Sequence, residues 1–151
     1  MNVLFVCTGN TCRSPMAQAL FKEMANKAGI NVSVKSAGIF ALDGEKASKG
    51  AIEALKLEGI DISSHRAKII YRDLLEEADL ILTMSISHKE TLLSKYSSIQ
   101  GKIYTLKEYA YGIEGDVLDP FGGNKHVYRN TKEEIEKALK EIIRKLIKNN
   151  I

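Results

Sequence analysis

Apolar residues in this chain recur in two rhythms, and each change of rhythm marks an element. Residues 2–6 (Asn2, Val3, Leu4, Phe5, Val6) are almost continuously apolar, which predicts a strand buried on both faces. Small polar residues follow. Then Met16, Ala17, Leu20, Phe21, Met24, Ala25 and Ala28 recur at spacings of three and four, the inward face of a helix. Ser14 reads as its N-cap, Pro15 as its first helical position and Gly29 as its stop. Residues 31–36 predict a second strand and 43–48 a loop. Residues 49–58 predict a helix that turns Ala51, Ile52, Ala54 and Leu55 inward and ends at Gly59. A short helix is expected over 71–77, a third strand over 79–83, a helix from about Ser87 to Tyr96 and a fourth strand over 102–106. A long glycine-rich loop is expected over 110–124. From about His126 an amphipathic helix turns Ile135, Leu139, Ile142, Ile143 and Leu146 inward.

Alternating strands and helices predict an α/β fold, a parallel sheet with helices on both faces. In such folds ligands bind beyond the carboxyl ends of the strands. The loop over residues 7–14, after the first strand, is therefore the expected site. The chain shows no internal repeat, linker or low-complexity segment, and 151 residues suit one domain spanning 1–151.

Composition narrows the class without naming a chemistry. The chain is 44% hydrophobic, enough for a sizeable core, and 22 basic against 19 acidic residues leave a net charge of +3. That balance is too mild to argue for a nucleic-acid or membrane partner. No apolar run approaches the ~18 residues that span a bilayer. The N-terminus lacks the basic region of a signal peptide. Two cysteines five residues apart, Cys7 and Cys12, cannot staple a secreted framework. A soluble, cytoplasmic protein is expected.

The chemistry is concentrated in Cys7-Thr8-Gly9-Asn10-Thr11-Cys12-Arg13-Ser14. A strand enters this loop and a helix leaves it. Such a turn aims backbone N–H groups at one point, and the helix N-terminus adds partial positive charge, an anion cradle suited to phosphate. Arg13 brings a guanidinium fork that binds two phosphate oxygens. Cys7 lies at the base, in a field that favours thiolate, where it can attack phosphorus in line. The Ser14 hydroxyl can bond the thiolate while capping the helix.

Val6-Cys-Thr-Gly-Asn-Thr-Cys-Arg-Ser-Pro-Met-Ala17 closely resembles the active-site loop of the low-molecular-weight protein tyrosine phosphatase family, including its place at the extreme N-terminus. Length, element order and a later Asp-Pro motif extend the resemblance over essentially the whole chain. The resemblance implies a four-stranded parallel sheet with helices on both faces. It implies Cys7 as nucleophile, Arg13 as the phosphate-binding arginine, and Asn10 and Ser14 as residues that hold the loop and assist the thiolate. Ser36 and His65 resemble the family's supporting shell. Asp119, in Asp116-Val-Leu-Asp-Pro-Phe-Gly-Gly123, resembles the general acid, carried by a mobile glycine-rich loop, with Asp116 as runner-up. Family members usually place an aromatic pair after Asp-Pro; here Phe121 is followed by Gly122, so one cleft wall is less bulky. The implied chemistry is phosphoryl transfer to Cys7, then hydrolysis, with no metal or cofactor.

Thr11 bears on the substrate. Tyrosine-directed members mostly carry a branched apolar residue there. Threonine resembles the bacterial branch that hydrolyses phosphoarginine in proteins, as do the segments Thr105–Tyr109 and Asp116–Gly123. A guanidinium has a pKa above ~12, against ~10 for a phenol, so its departure depends more on protonation. Its donors also want acceptors, which the Thr11 hydroxyl and Asp119 can supply. Phosphotyrosine is the alternative substrate. Arsenate reduction, the remote alternative, relays a disulfide through further downstream cysteines, and none follows Cys12. Cys12 is expected to point toward the pocket, where a reversible disulfide with Cys7 would shield the nucleophile. Phosphorylated proteins are the expected partners, and a monomer the expected state. His88 and His126 read as lone histidines at helix starts, solvated or capping.

Overall fold

The computed structural model describes residues 1–149. Its sheet has four strands, β1 (Asn2–Cys7), β2 (Ser33–Gly38), β3 (Leu80–Thr83) and β4 (Ile103–Thr105). All pairs are parallel and the order is β2-β1-β3-β4. The helices are α1 (Arg13–Lys27), α2 (Lys49–Lys56), α3 (Arg72–Glu77), α4 (Ile86–Lys95), α5 (Leu106–Tyr111) and α6 (Lys125–Asn149), with a 3-10 turn at Ser97–Ile99.

The two-residue period of β1 divides the core. Val3, Phe5 and Cys7 pack with Met16 and Phe21 of α1, Leu55 of α2, Leu106 of α5 and Ile135, Leu139 and Ile142 of α6. Leu4 and Val6 pack on the opposite face with Leu74 and Leu75 of α3 and Leu92 of α4. Both faces of the central strand are thus covered, as its continuous apolar run requires. The Phe5 and Phe21 rings meet edge to face with centroids 5.6 Å apart, worth ~0.5–1.5 kcal/mol beyond their burial.

From β1 the chain crosses by α1 to β2 on one side, and later returns to β3 on the other. The strand order therefore reverses at β1, and the crevice at such a reversal is where these sheets bind ligands. Cys7 ends the strand at that point.

Most boundaries shift by a residue or two from the sequence pattern, and three of the differences bear on the fold. Helix α1 starts at Arg13, one residue before the expected cap. Cys12 occupies the N-cap without a side-chain hydrogen bond, and Pro15 is third in the helix. Pro15 is tolerated there because the first turn has no intrahelical acceptor for its missing N–H. Strand β2 runs two residues later than expected, because Ala37 and Gly38 continue the ladder opposite Val6 and Cys7. Residues 106–111, partly assigned to strand and loop, form α5. Thr105 and Glu108 make a reciprocal capping box at its start, and Gly112, at φ 84°, ends it. The expected stops at Gly29 and Gly59 do take positive φ, 70° and 75°.

Candidate active site

The phosphate-type loop begins where β1 ends and closes where α1 begins. Asn10 is its keystone: the one non-glycine residue with positive φ, 56°, among the described residues, and fully buried. A left-handed asparagine needs a reason to stay there, and its own bonds provide it. Its Nδ2 donates to Ser14 Oγ at 2.8 Å and to Ser36 Oγ at 2.9 Å. Its Oδ1 accepts from the Lys68 N–H at 3.0 Å, and its carbonyl accepts from His65 Nε2 at 2.8 Å. Ser36 Oγ in turn donates to Gln18 Oε1 at 2.5 Å. The shell assigned to Ser36 and His65 therefore converges on Asn10. Burial pushes the His65 imidazole below its usual pKa.

Gly38 lets β2 approach this loop. A methyl at its Cα would lie 2.5 Å from the Thr8 carbonyl oxygen and 2.9 Å from the Asn10 nitrogen. The Ile39 and Phe40 N–H groups also donate to the Cys7 and Thr8 carbonyls, at 3.0 and 2.9 Å.

Cys7 Sγ lies 2.8 Å from Ser14 Oγ. Because the Asn10 Nδ2 can only donate, the Ser14 hydroxyl accepts from it, and its single proton is free for the sulfur. Ser14 is thus a thiol partner rather than a helix cap, which corrects half of its expected role. Burial pushes the Cys7 thiol above its ordinary pKa; bonds from the Ser14 side chain and the Ser14 backbone, the Arg13 charge and an Asn10 backbone bond all oppose it. The contacts expected to favour thiolate are present, but in this structure desolvation outweighs them.

Arg13 is 5% exposed. Its Nη1 donates to the Val117 carbonyl at 2.8 Å and its Nη2 to Thr8 Oγ1 at 3.4 Å, while its Nε is buried without a protein partner among the described residues. Asp119 Oδ2 stands 3.8 Å from Nη2, on a side chain that is 51% exposed. The expected acid is therefore at the mouth of the loop. Its segment is anchored rather than free along its length: Val117 is buried and donates to the Met84 carbonyl at 2.7 Å. Asp116 is occupied, accepting the Ile86 N–H at 2.8 Å. Phe121 donates its N–H to Asp119 Oδ1 at 3.1 Å, and its side chain is exposed, as is Leu118.

Thr11 is half-buried, and its carbonyl accepts from the Ser48 N–H at 2.9 Å. Gly9 packs near its hydroxyl, at a separation that would place an added methyl 3.7 Å away. Cys12 is buried as a free thiol whose Sγ lies 3.3 Å from Ser48 Oγ and 3.4 Å from the Tyr128 hydroxyl. Burial pushes the Tyr128 phenol up to about 12.

The pattern missed His88. Expected as solvated or capping, it is 7% exposed, with Nε2 2.8 Å from Thr8 Oγ1. The signal was Ser85, which caps α4 through the His88 N–H and so places that residue in the first turn. Placing the helix start near Ser87 concealed it. Nothing local announced the Val117 carbonyl or Tyr128, since both reach the loop from over 100 residues away.

Comparison with known proteins finds a family and close structural relatives. A family model described as low molecular weight phosphotyrosine protein phosphatase matches residues 2–151. The protein-arginine-phosphatase of Bacillus subtilis (strain 168) is 46% identical over 149 residues, covering 99% of both chains. A solved YwlE arginine phosphatase mutant, with its active-site serine phosphorylated, superposes with a TM-score of 0.94 at 46% identity, over 97% of this chain and 95% of that one. A low molecular weight protein tyrosine phosphatase from T. tengcongensis superposes with a TM-score of 0.92 at 50% identity, over 96% and 99%.

Proposed function

Because the chain belongs to the low molecular weight phosphotyrosine protein phosphatase family, we propose that it hydrolyses phosphoarginine in proteins through a phosphocysteine at Cys7. The observation that carries the phosphatase reading is the Cys7–Ser14–Asn10 chain of hydrogen bonds, with the Arg13 charge acting on the same sulfur. One network holds the nucleophile and the loop geometry, and a second, through Val117 and Thr8, holds the anion-binding Arg13.

In the first step Cys7, ionised by loss of its thiol proton to solvent, forms a bond from sulfur to phosphorus as the bond from phosphorus to the guanidino nitrogen breaks, and Asp119 delivers a proton to that nitrogen. In the second, water attacks the phosphocysteine, Asp119 takes its proton, and the sulfur leaves with the Ser14 hydroxyl to receive its charge. Arg13 and the loop N–H groups of Thr8 to Ser14 stabilise the equatorial oxygens throughout. The unpartnered Arg13 Nε is a donor that a phosphoryl oxygen can accept. The chemistry calls for no metal.

Thr11 and the exposed carboxylate of Asp119 favour a substrate with guanidinium donors, and the B. subtilis relative supports that choice. Phosphotyrosine remains the second reading, supported by the T. tengcongensis relative. Assaying phosphoarginine and phosphotyrosine peptides side by side separates them. We expect the phosphoarginine peptide to be preferred. Thr11→Ile should lower kcat/KM on it by about tenfold to a hundredfold, while leaving phosphotyrosine turnover equal or higher. Asp119→Ala should slow both, phosphoarginine more. Preference for phosphotyrosine, with Thr11→Ile acting equally on both, would leave only the tyrosine phosphatase reading.

Cys12 is proposed as a resolving thiol: peroxide converts Cys7 to a sulfenic acid, and Cys12 displaces water to form a reducible disulfide. The protein is proposed to act as one domain, a cytoplasmic monomer, on phosphorylated protein substrates, with no nucleic-acid or membrane partner. Among the described residues no helix is long and apolar enough to cross a membrane.

A further inference from the structure

His88 takes no part in the two steps above, yet it touches the machinery. Its Nε2 is 2.8 Å from Thr8 Oγ1, and Arg13 Nη2 is 3.4 Å from the same oxygen. One threonine hydroxyl therefore sits between an imidazole and the phosphate-binding guanidinium. The guanidinium only donates, so Oγ1 accepts from Arg13. The other ring atom, Nδ1, is buried without a protein partner among the described residues. With the proton on Nδ1, a buried N–H would be orphaned. With the proton on Nε2, the unpaired atom is a bare acceptor, the lesser cost. Nε2–H then donates to Oγ1, and the hydroxyl proton of Thr8 is left available to an anion in the loop.

We propose that His88 is a positioning residue: as a neutral Nε2–H imidazole it fixes Thr8, and Thr8 fixes the Arg13 guanidinium for two-oxygen binding of the phosphoryl group. The β3–α4 junction makes this a two-sided clamp. Met84, just past β3, holds the Val117 N–H through its carbonyl, and the Val117 carbonyl accepts Arg13 Nη1. Four residues on, His88 holds Thr8, which accepts Nη2. Both arms of the fork are thus set from one short segment. Burial, reinforced by the charge of Arg13 on α1, pushes His88 down to about 4, against the opposing pull of Asp116 and Asp119 on the loop before α6. A protonated ring would press a second buried cation toward Arg13 and orphan Nδ1–H, so the imidazole stays neutral in the working range.

The inference rests on the phosphatase reading only for the identity of the anion. Its test uses inorganic phosphate, whose binding does not require turnover, together with kcat/KM on p-nitrophenyl phosphate. His88→Leu and Thr8→Val should each weaken phosphate binding about tenfold, and the double variant no more than the worse single. His88→Gln, which carries an amide nitrogen to the same place, should stay within about threefold of the parent. Nitrogen-15 NMR of the unmodified protein should show His88 protonated at Nε2 alone and titrating well below the usual histidine range. Additive losses in the double variant would overturn the proposal. So would a proton on Nδ1, titration near an ordinary histidine pKa, or His88→Leu binding phosphate as the parent does. If His88→Leu fails to fold, the glutamine variant and the tautomer decide alone. Failure of the phosphatase reading shows elsewhere, as retained turnover in Cys7→Ser.

Discussion

The Cys7 sulfur is pulled in opposite directions, up in pKa by burial and down by Ser14, Arg13 and Asn10. Ser14→Ala removes the side-chain bond and leaves burial less opposed, so the Cys7 pKa rises further. The thiolate fraction at pH 7 then falls, and iodoacetamide alkylation at that pH should slow about tenfold or more, with its rise moved to higher pH. An unchanged alkylation profile would mean that the 2.8 Å contact does not support the thiolate. Cys7→Ser should keep phosphate binding and lose turnover by several decades, since among the described residues no base lies beside it to activate a serine. An acid quench of the parent enzyme should trap phosphocysteine. Cys12→Ser should remain active but fail to recover from peroxide under dithiothreitol, whereas the parent recovers. Equal recovery would reduce Cys12 to packing against Ser48 and Tyr128.

At the level of elements, the loop depends on the end of β2, where Gly38 pairs with Cys7. Gly38 closes β2 where any side chain would meet two backbone atoms of the loop, Thr8 O and Asn10 N. Backbone cannot swing aside as a flexible side chain can, so Gly38→Ala should force β2 and the loop apart at a cost of ~1–3 kcal/mol. Calorimetry should register weaker phosphate binding, and melting a lower Tm. The hydrophobic periods located most elements because each buries a face, and a buried face writes its period into the sequence. They missed α5, where the repeat is too short to register, although Thr105 and Glu108 carried a capping-box signature. They also gave Ser14 to the helix as its cap. The same short polar side chain that suits a cap suits a thiol partner, and only the placement of Cys7 and Asn10 decides between them.

On the scale of the molecule, the site lies where the strand order reverses beside β1, so ligand binding there draws on β1, β2, the β3–α4 junction and α6 together. Phosphate should therefore stabilise the whole protein. At a concentration 100-fold above Kd, the gain is ~2.7 kcal/mol, a Tm rise of about 5–10 °C for a chain of this size. Arg13→Ala should abolish most of that rise, and Cys7→Ser should keep it.

The reactive unit was legible along the chain: the strand–loop–helix unit, with the anion cradle, the proposed nucleophile and its arginine, lies within the first twenty-seven residues. These residues are neighbours in space because they are neighbours in sequence. The residues that hold them in place come from far away. Ser36, His65, Lys68, His88, Val117 and Tyr128 reach the loop only after the sheet has formed and α6 has packed back on α1. A polar residue carries no periodic mark of the partner it will meet across 26 to 116 positions. The burial that raises Cys7 and lowers His88 is likewise a property of the packed core, absent from any single segment.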